Sequence, residues 1–134
     1  MLRCLIVDDN PYFLRAARCL LEHQSVTVVG MASNGTDAVR MAELLKPDVA
    51  LVDIDLGVEC GLDLADRLQR EAPAPLPVIL ISSHAEEDYA ELIEASPAVG
   101  FVSKAVLSGD AIRAAVGGVD DSRRDDPVEG PAEG

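Results

Sequence analysis

Four hydrophobic segments, far apart in this chain, each run directly into a side chain that can bind a metal ion or a phosphoryl group. In chain order, the polar residues that follow them are Asp8 with Asp9, then Asp53, then Ser82 and finally Lys104. Because the carboxyl ends of parallel strands share one edge of a sheet, where ligands bind, we expect these groups to converge. Three carboxylates without a cation would repel one another, so the predicted site needs a hard divalent metal with oxygen ligands.

The hydrophobic pattern predicts five strands that alternate with five helices. Strands are predicted over 3–8, 26–31, 48–53, 78–82 and 100–103, and helices from Asn10-Pro11, from Asn34-Gly35, and over 62–71, 86–95 and 108–116. This alternation is typical of an α/β fold with a doubly wound five-stranded parallel sheet and right-handed crossovers. The flavodoxin-like strand order 2-1-3-4-5 would bring the first and third strands together, and with them Asp8, Asp9 and Asp53.

Length and composition indicate one packed domain with an acidic surface. The chain has 134 residues, of which 49% are hydrophobic, and this is enough for a single core. The net charge of −13 argues against a nucleic-acid-binding face and against binding to an anionic membrane. No hydrophobic run approaches the roughly 18 residues of a spanning helix. With three scattered cysteines and no paired spacing, a reducing cytoplasmic location is expected.

The end of the chain differs in composition from the rest. Beyond residue 116 the sequence is rich in Asp, Glu, Arg, Gly and Pro and lacks apolar periodicity. Such a segment cannot bury enough apolar surface to order itself. We therefore expect a domain over 1–116 and an acidic disordered tail over 117–134.

Over about residues 2–116 the chain resembles the receiver domain of bacterial two-component response regulators. Asp53 matches the phosphoacceptor of that family and Lys104 its active-site lysine, while Asp8 and Asp9 match the acidic metal-binding pair. Ser82 matches the Ser/Thr position that binds the new phosphoryl group and Phe101 the aromatic switch position.

The resemblance implies a magnesium ion held by Asp8, Asp9, Asp53 and the backbone carbonyl of Asp55. Asp9 is expected to ligate directly, whereas Asp8 can act through water. Octahedral, partly hydrated Mg²⁺ suits this mixture better than Ca²⁺, which takes more protein oxygens.

The implied function is that of a phosphoacceptor rather than a turnover enzyme. A sensor histidine kinase or phosphotransfer protein would donate the phosphoryl group to Asp53, and the chain would catalyse only its own phosphorylation and dephosphorylation. The resemblance further implies a switch through Ser82 and Phe101. The face over about 86–116 would then bind an output protein or a second copy of the chain, with no direct nucleic-acid or membrane contact.

Several positions depart from the family pattern. Gly57 stands where the family usually has Pro, and Ser83 where Ala or Gly is usual. Asp55 and His84 occupy positions that modulate dephosphorylation in the family. The segment 100–109 is most similar to regulators that carry a C-terminal helix-turn-helix domain, so the chain is either a stand-alone receiver, which its native-looking tail favours, or a receiver separated from such an effector.

Two other functions fit parts of the sequence. Asp53-Ile54-Asp55 resembles the start of the haloacid-dehalogenase phosphatase motif, in which the second Asp is a general acid/base, but that motif normally lies on the first strand. The chain could also be an interaction module that works without phosphorylation, a hypothesis for which Gly57 and Ser83 are the main support.

Overall fold

The computed structural model describes residues 2–57, 59–70, 76–83, 90–96 and 98–124. Its main strands are β1 (Leu2–Val7), β2 (Val26–Ala32), β3 (Val49–Asp53), β4 (Val78–Ser82) and β5 (Gly100–Ser103), and its helices are α1 (Pro11–His23), α2 (Gly35–Leu45), α3 (Gly61–Arg70), α4 (Ala90–Ala95) and α5 (Gly109–Arg124). All five predicted strands are present, and their ends differ from the predictions by no more than one residue. The predicted start of the fourth helix, at residue 86, lies outside the described residues.

The five strands form one parallel sheet in the order β2-β1-β3-β4-β5, which confirms the predicted doubly wound arrangement. The strand ends are in register at the carboxyl edge. Val7 pairs with Val52, Asp53 pairs with Ile81, and Ser82 pairs with Ser103. The polar residues at these ends therefore lie along a single edge of the sheet.

Helices cover both faces of this sheet, which explains why the strands are almost continuously apolar. Successive residues of β1 point to opposite faces, so Cys4 and Ile6 join one hydrophobic cluster while Leu5 and Val7 join another. Both clusters reach the carboxyl edge of the sheet, so they hold the strand ends rigidly in place.

The two predicted helix starts are confirmed in atomic detail. The Asn10 side-chain oxygen accepts a hydrogen bond from the Tyr12 N–H at 2.9 Å, and the proline at position 11 needs no such partner. In the same way the Asn34 side-chain oxygen accepts from the Asp37 N–H at 2.9 Å. Each helix therefore begins within a few residues of the strand before it, which brings the helix N-termini to the carboxyl edge of the sheet.

The segment between β3 and α3 is more ordered than the predicted loop. Asp55–Leu56 and Glu59–Cys60 form a small antiparallel hairpin, in which Asp55 pairs with Cys60. Gly57 adopts a φ of +73°, the left-handed conformation that a tight turn requires and that glycine adopts without strain. The pattern gave no sign of pairing because each strand has only two residues.

Helix α5 corrects the predicted boundary of the tail. The helix continues to Arg124 instead of ending at 116, so residues 117–124 of the predicted tail are helical in the structure. The glycine pair at 117–118 lowers helix propensity but does not stop a helix, and the first proline beyond it is Pro127. The prediction of disorder for 125–134 concerns residues outside those described.

Among the described residues, no helix combines the length and the apolar character needed to cross a membrane.

Gly61 provides a test of the fold, because it lies against the backbone of the strand that carries Asp53. A Cβ at position 61 would be 1.8 Å from the Asp53 carbonyl oxygen and 2.8 Å from the Ile54 Cα. We predict that Gly61→Ala lowers the free energy of unfolding by about 2 kcal/mol or more, measured by urea denaturation, because backbone must move. The control is Gly35→Ala, where the nearest atom, 3.1 Å from the added Cβ, belongs to the flexible Glu59 carboxylate. Equal effects of the two substitutions would contradict the close approach at Gly61.

Candidate functional site

Three carboxylates meet at the carboxyl edge of the sheet. One oxygen each from Asp8, Asp9 and Asp53 lies within 4.8 Å of the others. Asp8 follows the last residue of β1 and Asp53 ends β3, and these two strands are neighbours. Asp8 is fully buried, Asp53 is 5% exposed and Asp9 is exposed. The cluster therefore has a buried side formed by two carboxylates and an open side formed by the third.

Backbone N–H groups fix one oxygen of each buried carboxylate. Asp8 Oδ1 accepts a hydrogen bond from the Asn10 N–H at 2.9 Å, and Asp53 Oδ1 accepts one from the Asp55 N–H at 3.1 Å. Each bond spans two residues and closes a small turn after the strand. The second oxygen of each carboxylate, Oδ2, is left to face its neighbours in the site.

Lys104 provides the positive charge between these two oxygens. Its Nζ lies 2.6 Å from Asp8 Oδ2 and 3.1 Å from Asp53 Oδ2. The contact with Asp53 is a hydrogen bond, and the shorter contact with Asp8 is an ion pair. Apart from that ammonium group, the buried Asp8 Oδ2 has no hydrogen-bond partner among the described residues. Because an ionised carboxylate accepts several partners, Asp8 Oδ2 can bind a metal ion in addition to the lysine.

The pKa values of the two central groups, Asp53 and Lys104, are both raised, for different reasons. Burial raises the pKa of the Asp53 carboxyl group above its ordinary value, and the Asp8 charge adds to the rise, while the Asp55 N–H and Lys104 oppose it. Burial alone would lower the pKa of the Lys104 ammonium, but its contacts with Asp8 and Asp53 outweigh burial and raise it. The lysine therefore stays charged. A divalent cation beside Asp53 would favour the ionised form of the Asp53 carboxyl group.

The donor set of the site fits a hard divalent cation. All three converging side chains offer carboxylate oxygen, the ligand type that Mg²⁺ and Ca²⁺ take, and the described residues contribute no thiol or imidazole to the cluster. With Asp9 exposed, one side of the cluster is open to water, which suits an ion that keeps part of its hydration shell.

Gly57 approaches the open side of the cluster closely. A Cβ at position 57 would lie 3.1 Å from Asp9 Oδ2. The φ of +73° at Gly57 is far from the value near −65° to which a proline ring is fixed. A proline could therefore not adopt this turn, and the absence of a side chain at Gly57 leaves room for the Asp9 carboxylate.

Ser82 and Phe101 lie on the same face of the sheet, on neighbouring strands. Ser82 ends β4, is 2% exposed, and lies one residue beyond Ile81, which pairs with Asp53. Phe101 pairs with Leu80 and packs against the hydrophobic cluster that contains Leu80. Since side chains alternate along a strand, Ser82 points to this same face. Ser83 and the Asp55 side chain are exposed, and His84 lies outside the described residues.

Three contributors to the site were missed by sequence reasoning. Asn10 holds Asp8 through its backbone N–H, and the Phe13 ring centroid lies 4.4 Å from Lys104 Nζ. Glu59 Oε1 accepts a hydrogen bond from the Gly35 N–H at 2.8 Å, which ties the hairpin to the start of α2. The apolar periodicity of α1 places Phe13 on its inner face, but the periodicity does not reveal which polar group the ring meets.

Comparison with known proteins agrees with this geometry. A family model described as the response regulator receiver domain matches residues 4–116. A protein-glutamate methylesterase/protein-glutamine glutaminase of Alkalilimnicola ehrlichii is 36% identical over 113 residues, which cover 81% of this chain and 28% of that protein. The transcriptional regulatory protein LiaR of Bacillus subtilis is 34% identical over 119 residues, 86% of this chain and 56% of LiaR.

Solved structures show the same fold. A two-component response regulator of the LuxR family from Aurantimonas sp. SI85-9A1 superimposes with a TM-score of 0.76 at 25% identity, covering 87% of this chain and 85% of that one. The chain spans little more than half of LiaR and about a quarter of the methylesterase, so the activities of those whole proteins do not transfer to it. The match of the family model over 4–116, the strand order and the convergence of Asp8, Asp9, Asp53 and Lys104 together show that this chain belongs to the response regulator receiver domain family.

Proposed function

We propose that this chain is a phosphoacceptor of a two-component signalling system, which accepts a phosphoryl group on Asp53 from a histidine kinase or phosphotransfer protein. The observation that carries the proposal is the meeting of Asp53 with two further carboxylates and the Lys104 ammonium at one edge of the sheet. Carboxylate nucleophile, cation site and lysine are the parts that phosphoryl transfer to an aspartate requires.

In the proposed reaction, the Asp53 carboxylate attacks phosphorus, a new O–P bond forms, and the P–N bond of the donor phosphohistidine breaks. The Asp55 N–H holds Asp53 Oδ1, so the carboxylate cannot rotate away from the incoming group. Lys104, 3.1 Å from Asp53 Oδ2, is placed to pair with a phosphoryl oxygen as negative charge gathers there. Ser82, buried at the end of β4, is the proposed hydrogen-bond donor to a second phosphoryl oxygen.

We propose Mg²⁺ as the cation, held by Asp8, Asp9, Asp53 and the Asp55 backbone carbonyl. When bound, the ion supplies positive charge that offsets the repulsion between the carboxylates and the incoming phosphoryl group. The residues of the chain supply the placement: Asp8 and Asp53 are anchored by backbone N–H groups, and the exposed Asp9 lies on the side that is open to water.

The proposed output is a change in the surface over about 86–116. A phosphoryl group on Asp53 adds negative charge and three acceptor oxygens next to Ser82 and Lys104. Movement of Ser82 toward it would make room for Phe101, on the same face of the neighbouring strand, to turn inward. An output protein or a second copy of the chain would bind the changed surface. On this proposal the chain catalyses only its own phosphorylation and dephosphorylation, and a cytoplasmic location stays a prediction.

Magnesium binding provides the first test. We predict that Mg²⁺ titration shifts the amide resonances of residues 8–9 and 53–57, and that Asp9→Asn weakens binding about tenfold, or ~1.4 kcal/mol, because a ligand charge is lost. Amide shifts or calorimetry are needed because the chain has no Trp. Asp66→Asn is the matched control, since Asp66 pairs with Arg70 on α3 and is not part of the cluster. The metal site is ruled out if these amides do not respond.

Phosphorylation itself is tested by mass spectrometry after incubation with a small phosphodonor and Mg²⁺. We predict that the wild-type chain gains one phosphoryl group and that Asp53→Asn gains none, because the amide is not a nucleophile here. Asp55→Asn should still be phosphorylated, since the exposed Asp55 side chain is not part of the carboxylate cluster and Asn keeps an Oδ1 that can accept from the Gly57 N–H. Continued turnover of a phosphate ester, abolished in Asp55→Asn, would instead indicate the phosphatase reading.

The switch is tested by amide hydrogen exchange with and without a beryllofluoride mimic of the phosphoryl group. We predict altered protection over residues 90–104 as well as around Asp53, because Ser82, Phe101 and Lys104 link the site to β5 and its neighbours. The comparison chain is Asp53→Asn, which should show neither change. Protection that changes only around Asp53 would favour an interaction module that works without phosphorylation.

A further inference from the structure

We propose that Phe13 is a positioning residue for Lys104, whose ammonium group it holds against the face of its ring. This inference rests on the proposed function, because the position of Lys104 matters most during phosphoryl transfer. The Phe13 ring centroid lies 4.4 Å from Lys104 Nζ, well inside the ~6 Å range of a cation–π interaction. The ammonium group is thus held by two carboxylates and by an aromatic face.

Burial strengthens this contact. The Lys104 side chain is only 17% exposed and Phe13 is partly buried against the core. Cation–π contacts are stronger when the cation is desolvated. The same helix carries a second contact of this type for comparison, in which the Arg15 guanidinium lies 5.4 Å from the Tyr12 ring centroid. Tyr12 is 74% exposed, so that contact stays in water.

Hydrogen bonds in the turn from β1 to α1 fix the position of the Phe13 ring next to Lys104. The Asn10 N–H donates to Asp8 Oδ1, and the Asn10 side-chain oxygen accepts from the N–H groups of Tyr12 and Phe13, at 3.4 Å for Phe13. The turn from β1 to α1 therefore sets both the carboxylate and the ring that contact Lys104. Nζ lies 2.6 Å from Asp8 Oδ2, which closes a ring of contacts through Asp8, Asn10, Phe13 and Lys104.

The flexibility of the Lys104 side chain explains why a supporting contact from Phe13 matters. Lysine has a flexible four-carbon stem and a compact, strongly hydrated charge, so ion pairing alone orients it poorly. Its partner Asp53 is also the group that reacts, and the negative charge there moves onto phosphoryl oxygens. A π face does not change during the reaction, so Phe13 keeps the ammonium group at the site while its carboxylate partner is transformed.

The experiment compares Phe13→Leu, which keeps an apolar side chain but removes the ring, with Phe13→Tyr, which keeps the π face. Tyr12→Leu is the matched control, because it removes the exposed cation–π contact from the same helix. Two quantities are measured: the chemical shift of the Lys104 ε-methylene protons without any phosphodonor, and the rate of phosphorylation by phosphoramidate with saturating Mg²⁺. Urea unfolding of each variant verifies that it is folded, and Phe13→Met replaces Phe13→Leu if the latter does not fold.

We expect an upfield ring-current shift of the Lys104 protons in the wild type, Phe13→Tyr and Tyr12→Leu, and its loss in Phe13→Leu. We expect phosphorylation of Phe13→Leu to be about three- to tenfold slower, with Phe13→Tyr close to the wild type. A Lys104 shift that survives in Phe13→Leu would overturn the proposal, as would an unchanged rate. If the wild type is not phosphorylated at all, the proposed function fails, and the ring-current comparison alone decides whether Phe13 holds Lys104.

Discussion

The burial of two carboxylates on neighbouring strands is the constraint on which the rest of this site depends. Asp8 is fully buried, Asp53 is nearly so, and both face the same small space. Two like charges in such a place are unfavourable unless cations accompany them. Lys104, which directly follows β5 at the far side of β4, supplies one positive charge, so the site joins parts of the chain separated by 51 and 96 residues. A single lysine leaves the buried cluster short of positive charge, which is why a metal ion suits it.

The parallel sheet is what allows two buried carboxylates and a lysine to meet at one place. Register aligns the ends of β1, β3, β4 and β5, so residues that end different strands become neighbours without special loops. Backbone N–H groups of the turns that follow β1 and β3 then hold one oxygen of each buried carboxylate. The fold provides proximity, and the turns provide orientation. The two tasks are separate, so a change in a turn can alter the chemistry without altering the sheet.

The strands, their order and the convergence of Asp53 and Lys104 at one sheet edge could be predicted because each leaves a strong local signal. Continuous apolar runs that end at Asp53, Ser82 and Lys104 identify both the buried strands and the polar groups at their ends. The hairpin after β3 left no such signal, because two-residue strands show no periodicity and its turn depends on the φ of Gly57. The contact between Phe13 and Lys104 joins residues 91 positions apart and depends on side-chain direction. The extension of α5 to Arg124 was missed because the polar composition beyond residue 116 suggested disorder. The absence of proline between residue 116 and Pro127 was the better guide to where the helix ends.

The close fit of Gly61 also limits how the length of the loop after Asp53 can vary. The Gly61 N–H donates to the Ile54 carbonyl oxygen at 2.8 Å, and no side chain fits between position 61 and the Asp53 carbonyl. The base of the loop is therefore fixed by the contact between Gly61 and the backbone of residues 53–54, and the hairpin extends from this base. Insertions or deletions inside the hairpin would leave Asp53 and the start of α3 in place, whereas a change of length at the base would displace both. Natural variation in the length of this loop should therefore be confined to the hairpin.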